Sequence, residues 1–440
     1  MSTIAPVEPV CRLGSLGLEP VRSQEDLVAR VQHVPLTLDA AWRLTAMVDR
    51  VGVTVEFARV IDYFGTPAGH TPAGFRVALD VGADRVLVAD LVRDIGTDAD
   101  GVPRPTPMLF SADTANPYEL EPIAPLVANL TCNPGIIYDL FINNPDANVG
   151  HRFSTRDEVM AEIGRILGPG CDISVELDNP FEPDFGKILA ECEQIRDILG
   201  EWRTVIKVPH TGPVHAGNVG QLLSGTKRLD RRWDSATVEE AFAGHRLALK
   251  LREHGFRVNF TLMFEPYQAR LALQTRPAFI NSFIRNRFAQ TRRLAELLGR
   301  AERDESALVE LRDHLVSIDA LSGSETDAPV EVARAIAQRL VHYRRLNSPD
   351  GMDGLDCVRH NLRVLRQANL PDTRLIVCSL DGDAMYPDID RLLTEPEFAD
   401  MAGRVVVTAE PGYLARFASA SQVVSYQRRF MAAAQGQTAP

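Results

Sequence analysis

Lys207 stands in the middle of the apolar run Thr204-Val205-Ile206-Lys207-Val208-Pro209, which the proline closes. Strand alternation sends Val205, Lys207 and Pro209 to one face and Ile206 and Val208 to the other. With both faces buried, the lysine has little water around it. Burial disfavours the charged form, so its pKa is expected to fall. A lysine that loses its proton near neutral pH is a nucleophile toward carbonyl carbon. The plain alternative is a strand-end lysine whose head reaches solvent or pairs with a carboxylate.

Other apolar runs end in groups that would serve such an amine. Leu109-Phe110-Ser111-Ala112-Asp113 ends in a carboxylate, and the next run ends Leu130-Thr131-Cys132-Asn133-Pro134. In Ile173-Ser174-Val175-Glu176-Leu177-Asp178, alternation puts Ser174, Glu176 and Asp178 on one face. Asn259 and Thr261 share a face in Val258-Asn259-Phe260-Thr261-Leu262. Polar groups taken inside a fold cost stability unless they satisfy one another. An amine, carboxylates, an amide and a hydroxyl gathered at one mouth point to a use. His210 and His215 lack the His-x-x-x-His spacing of a helical zinc site and have no clustered third ligand. They read as loop histidines near the mouth, and no metal is expected.

The elements that must position these groups are short strands alternating with helical stretches. Candidate strands fall at 108–112, 126–131, 172–177, 204–208, 257–263, 278–284, 374–380 and 405–409. Eight strands in a βα rhythm predict an α/β fold, a closed (β/α)8 TIM barrel with its functional residues at the C-terminal strand ends. Between the sixth and seventh strands, about 290–368, a long charged segment predicts a helical insertion. Residues 1–100 form an N-terminal extension of small mixed α/β character. A capped helix starts near Gln24-Glu25-Asp26-Leu27-Val28, a second runs over 38–50, and apolar runs cover 51–57, 75–81 and 85–91. The turn-rich stretch 96–107 reads as the linker to a barrel domain spanning 107–425.

The chain resembles the transaldolase family, a branch of the class I, Schiff-base aldolases. The matching segments are Ala112-Asp113-Thr114, Thr131-Cys132-Asn133-Pro134, Ser174-Val175-Glu176, Ile206-Lys207-Val208-Pro209-His210-Thr211, and the run from Val258 through Asn259, Thr261, Glu265 and Gln268 to Ala269. They stand in the family's order over about residues 107–420. The resemblance implies an eight-stranded barrel with the lysine on its fourth strand. It implies that Lys207 attacks a ketone to form a Schiff base, and that Asp113 takes and returns the proton of the hydroxyl beside the breaking bond. Glu176 and Thr261 would hold a water that shuttles protons. Asn133, Asn259 and Thr131 would face the donor hydroxyls. It also implies sugar or sugar-phosphate substrates, as in the pentose phosphate pathway, no cofactor or metal, and a homodimer or larger assembly.

The phosphate-binding pattern departs from the family. Its Ser-Pro-Phe-Val-Gly-Arg run is here Asn281-Ser282-Phe283-Ile284-Arg285-Asn286-Arg287. With Phe283 aligned, the serine becomes Asn281 and the arginine becomes Asn286. Arg285 and Arg287 flank that position as candidate phosphate ligands. On the seventh strand, Ser-Phe-Arg-Asn of the larger members is replaced by Ser379-Leu380-Asp381-Gly382. An aspartate in the arginine's place repels phosphate. In this reading the carbon–carbon chemistry is retained, whereas recognition of an ordinary sugar phosphate is altered. Glu176 and Phe283 match the transferase branch; the fructose-6-phosphate aldolase branch tends to carry glutamine and tyrosine there. A lyase, a specialised sugar-biosynthesis enzyme and a non-catalytic sugar-phosphate-binding barrel remain the alternatives.

Composition agrees with this class. The chain has 440 residues, 45% hydrophobic and 24% charged, with a net charge of -12. No basic run marks a nucleic acid or an anionic membrane as partner. The six cysteines are scattered without metal spacing, as in a reducing compartment. No apolar run is long enough to span a bilayer, and no signal peptide opens the chain, so a cytoplasmic location is expected.

Overall fold

The computed structural model describes residues 10–67, 75–93, 109–200, 203–368, 370, 373–380, 382–414 and 420–437. The stretch 96–107 and Asp381 lie outside them. Eight parallel strands close into a barrel: β1 (Leu109–Ala112), β2 (Val127–Cys132), β3 (Asp172–Glu176), β4 (Arg203–Pro209), β5 (Arg257–Thr261), β6 (Phe279–Phe283), β7 (Arg374–Cys378) and β8 (Val405–Ala409). Parallel strands buried on both faces need apolar residues at nearly every position. The outward set, with Ile173, Val175, Ile206, Val208, Val258, Phe260 and Ile280, packs into the main core beneath the helices. Each such side chain contributes roughly 1.5–3 kcal/mol by burial. The inward set includes Val205, Phe279, Ile376 and Val406, which pack together as the barrel floor.

Above that floor the inward positions turn polar. The registers pair Lys207 with Glu176 on one side and with Asn259 on the other. Thr131 pairs with Ser174, Phe283 with Cys378, and Thr408 with Ser111. An eight-stranded barrel staggers each strand by one residue against the next, so inward side chains form layers of four from alternate strands. By that rule Thr131, Lys207, Asn281 and Thr408 share a layer. Asp113, Glu176, Thr261 and Cys378 form the layer above, and Asn133, Pro209, Phe283 and Glu410 lie at the rim. Helix Ala243–Glu253 packs against the lysine strand, and any side chain at Gly244 would collide with the Pro209 carbonyl.

The N-terminal residues make a four-stranded sheet from Glu19–Pro20, Arg50–Val53, Phe75–Val81 and Val86–Arg93. The apolar run at 51–57 splits: Thr54 accepts a hydrogen bond from the Phe57 amide and caps a helix, Val55–Tyr63. The helix expected over 38–50 stops at Met47, because Arg50 already belongs to a strand. Between β6 and β7 the helices Arg285–Ala301, Ala307–Ser317 and Val330–Tyr343 build a small core of their own. Helix Asp356–Gln367 does not join it. Val358, Leu362 and Leu365 turn into the barrel's core instead, so that helix is part of the barrel wall.

Candidate active site

Lys207 is 4% exposed. Its Nζ lies 3.0 Å from Glu176 Oε2 and donates to the Cys132 carbonyl at 3.3 Å. The amine is therefore buried as expected, but it is not alone, since a carboxylate stands beside it. The chain contains four lysines, and the other three, Lys187, Lys227 and Lys250, are exposed. Asp113 leaves the end of β1, and its carboxyl is held above the usual aspartate range. Burial is the largest cause; the Lys207 charge opposes it, Glu410 adds to it and Arg285 opposes it. Lys207 thus pairs with Glu176 and acts on Asp113 at the C-terminal mouth.

The amides beneath are tied into a chain. Asn281 Nδ2 donates to Asn259 Oδ1 at 2.5 Å and to the Phe260 carbonyl at 2.8 Å. Asn259 Nδ2 donates to Ser174 Oγ at 3.2 Å, and Cys378 Sγ donates to Asn281 Oδ1 at 3.6 Å. Asn281 therefore spends its amide on orienting Asn259. Thr261 and Thr131 are both buried within the barrel. Asn133 Oδ1 accepts from the Ile136 amide at 2.9 Å and so starts a π-helical segment, Gly135–Ile142. Such segments recur beside functional sites. Two non-glycine residues, Leu262 after β5 and Ser379 after β7, have φ of 55°. That left-handed backbone costs on the order of 1–3 kcal/mol and is typical of functional loops.

The two candidate arginines part company. Arg285 begins the helix after β6, exposed at the mouth; its amide donates to the Ser379 carbonyl at 2.7 Å, and its charge reaches Asp113. Arg287 is 3% exposed and its guanidinium is fully engaged. It donates to Asp356 Oδ1 at 2.5 Å and Oδ2 at 2.9 Å, and to Glu265 Oε2 at 3.0 Å. Arg344 from the insertion closes on the same Glu265 at 2.6 Å. Arg287 is therefore a structural cation rather than a phosphate ligand. The bidentate geometry and burial leave it no face for substrate. Asp356→Ala is expected to destabilise the fold by about 3–5 kcal/mol in denaturant unfolding, because it strands a buried charge. Near-wild-type stability would contradict that placement.

The two histidines after β4 take up separate contacts. His210 packs on Phe260 at 4.4 Å and on His245 at 5.2 Å, and burial pushes its pKa down to about 3. His215 Nε2 lies 3.3 Å from Glu240. Among the described residues, no group of three or more His, Cys, Asp or Glu side chains is placed to hold a metal ion, and no helix is long and apolar enough to cross a membrane. Glu410, Cys378 and the Cys132 carbonyl went unnoticed in the sequence. Inward alternation along β8, from Val406 through Thr408 to Glu410, was the signal for the first.

The closed parallel barrel, with an amine, two carboxylates and a belt of amides at its C-terminal mouth, defines the class of (β/α)8 barrels with a polar site at the strand ends. Residues 110–425 match the transaldolase/fructose-6-phosphate aldolase family, and the chain belongs to it. No curated protein matches the chain.

Proposed function

We propose that the protein is a transaldolase-type transferase, moving a dihydroxyacetone-type three-carbon unit from a ketose to an aldehyde through a Schiff base on Lys207. The observation that carries this reading is the buried Lys207 amine 3.0 Å from Glu176, one layer below Asp113. Passing a proton to Glu176 frees the nitrogen lone pair to attack the donor ketone. The carbinolamine loses water, with Glu176 and Thr261 relaying protons, and leaves an iminium. Ionised Asp113 takes the proton of the hydroxyl beside the carbon–carbon bond. That bond breaks, its electron pair flows into the iminium to make an enamine, and an aldehyde departs. The enamine then attacks a second aldehyde, Asp113 returns the proton to the new alkoxide, and water releases the product ketose. In this reading Asn133 and Asn259, the latter held by Asn281 and Ser174, bind the hydroxyls of the retained fragment.

Transfer and simple cleavage are separated by following a ketose donor without acceptor. A transferase is expected to stop after about one equivalent of aldehyde per site, and to resume when an acceptor aldehyde is added. Continuous release of dihydroxyacetone would assign the chain to the lyase side of its family. Glu176 and Phe283, matching the transferase branch, support the first outcome.

A further inference from the structure

Two imidazoles that the proposed reaction does not use lie behind the end of the lysine strand. His210 follows Pro209, and its amide donates to the Thr261 carbonyl at 3.2 Å, which fixes the end of β4 against β5. Its ring packs on Phe260 at 4.4 Å and on His245 at 5.2 Å. His245 comes from helix Ala243–Glu253 and is 7% exposed. It also meets Phe242 at 5.2 Å and Phe260 at 4.9 Å. One residue before it, Gly244 lies so close to the Pro209 carbonyl that no side chain fits. The helix is seated on β4 by that backbone contact and, one residue further along each element, by the two rings.

The rings are packed without hydrogen bonds. Among the described residues, His210 Nε2 and both ring nitrogens of His245 are shut off from solvent and have no partner. A neutral imidazole can leave a bare lone pair at such a nitrogen, whereas an imidazolium has to place an N–H there. A buried donor without an acceptor is costly, and more so when it carries charge. Burial accordingly holds His210 down to about 3, with His245 adding to the effect, and burial alone lowers His245. The charged groups on the surrounding elements are engaged elsewhere. Glu240 of helix Val238–Ala241 is held by Arg231 at 2.7 Å and lies 3.3 Å from His215. Arg246 donates to the Glu239 carbonyl at 2.7 Å, and Lys250 lies over the Phe185 ring at 5.0 Å. Lys207 points to the opposite face of β4 and pairs with Glu176.

We infer that His210 and His245 are positioning residues that form an acid-sensitive latch on the lysine strand. While both rings are neutral, the helix stays seated and holds the ends of β4 and β5, with Lys207 and Thr261, in register. Proton uptake by either ring unseats it and disables the site. In an opened state each imidazole recovers an ordinary pKa of about 6.5. The seated state is therefore favoured above that value. It loses ground as pH falls below it, by up to about tenfold per pH unit for each histidine.

The consequence for activity rests on the Lys207 Schiff-base reading, and the test separates the two. Full-length wild type is compared with His210→Phe/His245→Phe and with His245→Phe alone by hydrogen–deuterium exchange. The range runs from about pH 7 to about pH 5.5, across the ordinary histidine pKa, with intrinsic exchange rates corrected for pH. In wild type, protection of the His210 amide and of helix Ala243–Glu253 is expected to fall about tenfold or more, and further than in helix Asp356–Gln367. The double variant is expected to keep its protection, and His245→Phe to lose an intermediate amount. The single variant carries the comparison where the double variant does not fold. Trapping of dihydroxyacetone on Lys207 with cyanoborohydride gives the readout at the site. The wild-type rate relative to the variant is expected to fall about fivefold or more over the same range. Protection that holds in acid, falls equally in wild type and variant, or falls alike in both helices overturns the latch and leaves the Schiff-base reading standing. A trapping ratio that stays flat does the same. Absence of any adduct at neutral pH overturns the Schiff-base reading, and the exchange data still decide the latch.

Discussion

Replacing Lys207 by methionine is expected to lower kcat by about 10⁴-fold or more while the barrel still folds, since losing a covalent nucleophile removes the whole pathway. Methionine keeps the length and apolar stem that fill the space beside Val205 and Asn259. Glu176 loses its partner, but its side chain is 15% exposed and retains a path to solvent. The comparison needs circular dichroism and thermal unfolding on the same preparation. A folded Lys207→Met protein that turns over normally would remove the basis for the mechanism, because Lys187, Lys227 and Lys250 are exposed.

The second large effect is expected from Asp113→Asn. Removal of a general base typically costs about 10²–10⁴ in rate. The Schiff base should still form, since Lys207 and Glu176 remain, so adduct yield and turnover should separate. Wild-type kcat/KM should fall on the acid side with a midpoint above the ordinary aspartate range, because the base must be ionised and burial raises its pKa. Arg285→Gln removes an opposing charge and should move that limb to higher pH. Glu410→Gln removes a like charge and should move it to lower pH. The same shift has a stability sign. A carboxyl whose folded pKa is raised contributes stability below its unfolded value and loses that contribution as pH rises through the folded value. At neutral pH, Asp113→Asn should therefore unfold no more readily than wild type, and a large drop in its melting temperature would contradict the burial cost assigned to Asp113.

The barrel and its central groups were legible because alternation is a local code. One lysine among apolar neighbours on β4, and polar residues at every second position on β3 and β5, place Lys207, Glu176 and Asn259 inside with no tertiary information. What was not legible depends on distant partners. Arg285 and Arg287 both flank the expected phosphate-ligand position in the chain; Asp356, 69 residues away, is what engages Arg287. Helix Asp356–Gln367 looks like part of the charged insertion until its apolar face is seen against the barrel. The segment at 51–57 is apolar throughout, and only the Thr54 cap makes its second half a helix. His210 follows the lysine strand directly, yet Phe260 and His245 draw its ring into a packed, unprotonated environment.

The covalent role of Lys207 is tested most directly by borohydride reduction in the presence of dihydroxyacetone, followed by peptide mass mapping. A four-lysine chain makes the assignment unambiguous. The expected result is a single reduced three-carbon adduct on the peptide carrying Lys207, absent from Lys207→Met and present in Asp113→Asn. A folded protein that forms no adduct, or forms one on Lys187, Lys227 or Lys250 while Lys207 stays unmodified, would contradict it.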